Sequence, residues 1–108
     1  MNVIVKPQGN LDLKVSAMLQ QKIAALVAEN YNHYFIDLAG VKSLGHCGVS
    51  TLLAVDRLVR KTGKRLSLCN LNTSVQYILE ISDLACELDI VESGSDDEML
   101  QVGTTIQV

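Results

Sequence analysis

Tyr34-Phe35-Ile36-Asp37-Leu38-Ala39-Gly40-Val41-Lys42-Ser43-Leu44-Gly45-His46-Cys47-Gly48, followed by Val49-Ser50-Thr51-Leu52-Leu53-Ala54-Val55-Asp56-Arg57-Leu58-Val59-Arg60-Lys61-Thr62-Gly63, is the stretch that decides the fold. Residues 34–38 are a short apolar run of strand length. Residues 40–48 hold three glycines and form a loop. From Val49 the apolar positions 49, 52, 53, 55, 58 and 59 make a broad stripe of helical period, and Gly63 stands where a helix C-terminus ends. Strand, loop and helix in that order build a parallel sheet with crossover helices. The loop delivers Gly45-His46-Cys47-Gly48 to the helix N-terminus, where unpaired backbone N–H groups and a partial positive charge gather. A working site is expected there.

Working outward, residues 2–6 alternate around Val3 and Val5 as a strand that Pro7 ends, since proline cannot donate to a ladder. Gly9-Asn10 is a turn signal, and Leu11 and Leu13 resume an extended segment. Ser16 is the expected N-cap of a helix whose inner face carries Leu19, Ile23, Leu26 and Val27, with a break at 30–32. Asp56 and Arg60 sit four apart on the second helix, a surface pair worth ~0.3 kcal/mol. Residues 65–69 form a third strand. Asn72, Thr73 or Ser74 caps a third helix around Val75, Ile78 and Leu79. Leu84, Leu88, Ile90 and Val91 mark a last sheet segment, Ser93-Gly94-Ser95 a turn, and Asp96-Asp97-Glu98 the acidic start of a short helix. The alternation predicts one α/β domain over residues 1–108. Its sheet is mixed or mostly parallel, with about four to five strands and about four helices. Residues 103–108 are left between a flexible tail and an added extended piece.

Composition narrows the function classes. With 108 residues, 48% of them hydrophobic, the chain supports one packed core and no disorder. No window of apolar residues is long enough to span a membrane, and no secretory leader pattern is present, so no direct membrane insertion is expected. A net charge of −3 without a basic cluster argues against nucleic acid. Cys47, Cys69 and Cys86 are odd in number and lack metal spacing, which points to free thiols in a reducing cytoplasm.

Among candidate chemistries, His46-Cys47 is the sharpest: a thiolate at a helix N-terminus beside a histidine. Adjacent side chains rarely face each other and no third orienting group is evident, so Cys47 is read as a small packing residue. His33 and His46 lack partners at ligand spacing and are expected as exposed loop residues, with no metal. Gly45-x-x-Gly48 lacks the flanking pattern of either phosphate-binding fingerprint, so no cofactor is implied. Asp12 and Asp37 are lone carboxylates, the second placed to cap a turn. Cys69 and Cys86 lie in apolar runs, as core residues do.

Gly9-Asn10-Leu11-Asp12, Ile36-Asp37-Leu38-Ala39-Gly40-Val41, Gly45-His46-Cys47-Gly48-Val49, Gly63-Lys64-Arg65-Leu66 and the segment 72–84 together resemble the STAS domain of bacterial anti-sigma factor antagonists, nearly end to end. The resemblance leaves the family's first strand missing or shortened, since eight residues precede Gly9. In that family a serine kinase that is also the anti-sigma factor phosphorylates a serine of an Asp-Ser-Ser-Gly-Leu motif. The unmodified domain binds the kinase and frees the sigma factor. By position, His46 replaces the phosphoacceptor, Cys47 the serine beside it, and Gly45 the aspartate.

The resemblance implies a non-enzymatic cytoplasmic module for partner switching in transcription regulation. It binds a serine-kinase-type anti-sigma factor, as a monomer or weak homodimer, through Asp12, Leu44, Gly45, His46, Cys47, Gly48 and Val49. Two other classes stay open: an accessory STAS domain of a lipid or anion transport system, and a redox sensor at Cys47.

Overall fold

The computed structural model describes residues 2–82, 88–91 and 102–108, with the backbone alone at 46, 102 and 103. Five strands form the main sheet: β1 (Asn2–Lys6), β3 (His33–Asp37), β5 (Arg65–Cys69), β6 (Asp89–Val91) and β7 (Val102–Gln107). Their order is β6-β5-β3-β1-β7, and each described pairing is parallel. Helices α1 (Leu13–Val27), α2 (His46–Lys61) and α3 (Thr73–Ile81) alternate with them. Val3 and Val5 of β1, Tyr34 and Ile36 of β3 and Leu66 and Leu68 of β5 all point into one cluster. Leu19 and Ile23 of α1, Leu52 and Val55 of α2 and Val75 and Leu79 of α3 complete it. All three described helices therefore lie on the same face of the sheet. The fourth expected helix at 96–98, the turn at 93–95, Leu84 and Cys86 lie outside the described residues.

The ends of the helices follow local chemistry, with two corrections to the sequence reading. Asp12, not Ser16, caps α1: its Oδ1 accepts from the Val15 N–H at 3.0 Å. Leu13 thus opens a helix rather than prolonging a strand. Ser16 falls inside α1, buried, its hydroxyl without a partner among the described residues. Helix α2 starts at His46, three residues before Val49, with Gly45 in extended backbone as its N-cap. At the other end Gly63 takes φ +79, donating to the Arg60 carbonyl at 3.0 Å while Lys64 donates to Val59 at 3.4 Å, a Schellman closure. Asn72 is the cap of α3, its Oδ1 accepting from Val75 at 2.9 Å.

A strand absent from the sequence reading shapes the rest. Inside the loop after β3, Val41–Leu44 forms β4, which pairs in parallel with β2 (Gly9–Leu11) as a small second sheet. Four residues with two exposed polar positions carry too little periodicity to show as a strand. β4 is held on its other side by Asn72, whose Nδ2 donates to the Val41 carbonyl at 2.7 Å. Of the two states open to residues 104–108, the chain takes the extended one: β7 lies against β1.

Candidate functional site

In the β2–β4 ladder Leu11 pairs with Leu44. Each strand runs at once into a helix, so the caps Asp12 and Gly45 emerge side by side and α1 and α2 start together. Parallel neighbours sit roughly 4.8 Å apart. Gly48 permits this approach: a β-carbon there would lie 2.9 Å from the Leu11 carbonyl oxygen and 3.1 Å from Leu11 Cβ. The two starts differ electrically. Asp12 places a carboxylate on the first turn of α1, whereas no side chain caps α2 and its first turn holds no acid. The positive end of α2 has no acidic group of its own, and Lys42 is exposed on β4.

Between the helix starts runs a shallow groove of about 230 Å³, lined by Leu13, Ser16, Ala17, Gln20, Cys47, Ser50 and Thr51. That is below the size of typical small-molecule sites and suits one or two inserted side chains. Leu13 is 73% exposed on its rim, a large apolar side chain open to water.

The structure sorts the residues expected from sequence. Asp12, Gly45 and Cys47 are exposed at the paired helix starts, and Val49 is half-buried. Leu44 and Gly48 are buried and hold the site together from beneath. His46 is the first residue of α2. Cys47 does not pack where the helix leaves the sheet, as the sequence reading had it, but faces the groove. Ser50 lines the same groove one turn on, and Ser43 donates to Asn10 Oδ1 at 3.0 Å. Leu13, Ala17 and Gln20 escape a reading of the sequence that carries the strand through Leu13. Their spacing of four and three is itself a helical stripe, offset from the core stripe of Leu19, Ile23 and Leu26.

Other polar sites lie elsewhere. His33, expected in an exposed loop, is buried in β3 and stacks on Phe35 at 4.0 Å. Its Nε2 is 2.7 Å from the Ser67 hydroxyl, which donates to Asp89 Oδ2 at 2.7 Å. Arg65 closes on the same carboxylate at 2.8 Å. The Ser67 hydroxyl donates its hydrogen bond to the carboxylate, so the histidine is not placed as a base for it, and the cluster ties β3, β5 and β6 together. Burial pushes the Asp89 carboxyl up, but the hydrogen bonds from Ser67 and Arg65 and the Arg65 charge outweigh it and hold it below the ordinary value. Asp37 ends β3 and accepts from the Ala39 N–H at 2.9 Å, capping the turn as expected. The Asp56–Arg60 pair forms at 3.0 Å, but Asp56 is buried rather than on the surface. Burial, with Asp37 adding to it, pushes the Cys69 thiol up to about 12, so it is a core residue and not a nucleophile. Among the described residues no group of His, Cys, Asp and Glu is placed to hold a metal.

The family model of the STAS domain matches residues 1–96. The chain belongs to the STAS domain family. Solved structures similar to this STAS domain include a putative anti-sigma factor antagonist from Thermotoga maritima, at TM-score 0.78 and 19% identity over 93% of this chain and 86% of that one. The anti-sigma factor antagonist SpoIIAA in its unphosphorylated form gives 0.76 and 16%, over 93% and 87%. An anti-sigma factor antagonist from Mycobacterium paratuberculosis gives 0.71 and 23%, over 88% and 80%. At these identities the likeness is one of fold. No curated protein matches the sequence. Among the described residues, no helix of this STAS domain is long and apolar enough to cross a membrane.

Proposed function

We propose that residues 1–108 act as one non-catalytic interaction module that binds a serine-kinase-type anti-sigma factor in the cytoplasm, without the hydroxyl switch of its family. The observation that carries this reading is the pair of helix starts, where exposed Leu13 and Cys47 flank a groove of side-chain size. Small exposed residues at 45 and 47 allow close approach, and the uncapped start of α2 favours an acidic group from the partner. His46 and Cys47 offer no hydroxyl at the family's acceptor positions. A phosphate there adds nearly two negative charges, so its loss leaves the surface constantly competent to bind.

The test is binding to an anti-sigma factor kinase from the same cell, by calorimetry. Leu13→Asp and Cys47→Glu should each weaken binding about tenfold or more. Tyr77→Asp, on the exposed face of α3, should leave it unchanged. Equal loss from all three places the contact elsewhere. With kinase and ATP the wild type should gain no phosphate, and Gly45→Asp with His46→Ser should gain one. A phosphate on wild-type Ser43, Ser50 or Thr51 means that the switch has moved rather than vanished.

A further inference from the structure

Among the described residues the main sheet ends on two unlike edges. β6 is three residues long and Asp89 on it is held by Arg65 and Ser67, so this edge is short and charged, as protected edges are. β7 is six residues long, and Val102-Gly103-Thr104-Thr105-Ile106-Gln107-Val108 contains no charge and no proline. No described strand lies beyond it. The Val108 N–H donates to the Lys6 carbonyl at 3.2 Å. Backbone groups alternate sides along a strand, so 104, 106 and 108 turn theirs to β1 while Thr105 and Gln107 turn theirs outward. The register with β1 shifts between Val102 and Thr104, so the regular edge is 104–108.

We infer that β7 pairs antiparallel with β7 of a second copy of this chain, about a two-fold axis through Ile106. Thr105 of each copy then faces Gln107 of the other, and each such pair exchanges both backbone N–H···O bonds. Thr104 falls opposite Val108, and Ile106 opposite Ile106. These are β-branched pairs at the closer, non-hydrogen-bonded positions. Ile106 and Val108 are half-buried against the core, and the second copy covers part of what remains. The chain is self-complementary here: although each copy carries a net charge of −3, no charge meets a charge across 104–108. An axis through Thr105 instead sets Gly103, at the register shift, against Gln107 and breaks the ladder. One strand per copy is a small contact, so the dimer is weak and forms only at high concentration.

Sedimentation velocity over a concentration series up to the millimolar range tests this, with amide hydrogen exchange alongside. Thr105 and Gln107 are exposed, so changing them leaves the fold intact. The wild type should dimerise reversibly, with the amides of Thr105 and Gln107 gaining protection as concentration rises. Thr105→Lys with Gln107→Lys sets like charges opposite each other and should weaken the dimer about tenfold. Thr105→Lys with Gln107→Glu sets opposite charges across the axis twice and should tighten it about threefold. A wild type that stays monomeric throughout overturns the inference. So does a double-lysine variant that dimerises like the wild type, or a Lys/Glu variant that dimerises less well than the wild type.

Discussion

At position 48 a β-carbon would press on the Leu11 backbone, which cannot swing away as a side-chain tip can. Gly48→Ala gains up to ~1 kcal/mol of helix propensity, but the forced separation of β2 and α2 costs ~1–3 kcal/mol. The net effect should be a loss of about 1–2 kcal/mol, seen as a lower urea midpoint. Gly45 is the contrasting case. Its φ is −94, nothing lies within 4 Å of the place a β-carbon would take, and it stands at an N-cap. Gly45→Asp should therefore raise stability by a few tenths of a kcal/mol (~0.3). If Gly48→Ala proves as stable as the wild type, the close approach of the two helix starts is not what demands glycine there.

Edge strand β6 is tied to β5 by the side chain of its first residue, Asp89, as well as by its backbone ladder. Because the folded carboxyl lies below its ordinary 3.8, the native state releases this proton more readily than the unfolded chain does. The contribution is fully present above 3.8 and is lost as pH falls through the lower folded value. Urea midpoints of wild type and Asp89→Asn should accordingly differ by about 1 kcal/mol at neutral pH and converge at the acid end, below pH 3.8. A gap that stays constant with pH would show that the charge of Asp89 contributes nothing. The same element logic explains the second helix: Gly63 closes its C-terminus while Arg60 and Lys61 sit in its last turn, where the dipole favours positive charge.

Across the whole molecule, pairing on both sides separates the central strands from the edges. β3 is bonded to β1 and β5 and all its residues are buried, whereas β6 has one neighbour among the described strands and Ile90 is 39% exposed. Native-state hydrogen exchange at dilute protein should find the amides of β3 exchanging only through global unfolding. The amides of β6 should exchange about 100-fold faster or more, by local opening. Equal protection in the two strands would mean that the Arg65–Asp89–Ser67–His33 cluster makes β6 part of the same cooperative unit.

Much of this was legible from residues alone. Core stripes such as Leu19-Ile23-Leu26 and Leu52-Val55-Val59, the strands 2–6 and 65–69, and the stop at Gly63 come from local periodicity and turn chemistry, which act over a few residues. The α/β class follows from them. What the sequence could not show depends on contacts between distant segments. The strand Val41–Leu44 exists because Gly9–Leu11 runs beside it, and only that pairing sets Asp12 next to Gly45 and brings Leu13 to the rim of the groove. His33 reads as an exposed loop residue until Ser67 and Asp89 arrive from β5 and β6 to satisfy it. Residues 104–108 hold only two alternating apolar positions, Ile106 and Val108, too short a signal to separate a tail from a strand, and the edge of β1 decides between them. Hydrophobic period is written into a chain, but the partner that makes a polar or short segment into structure lies tens of residues away, and only folding brings it there.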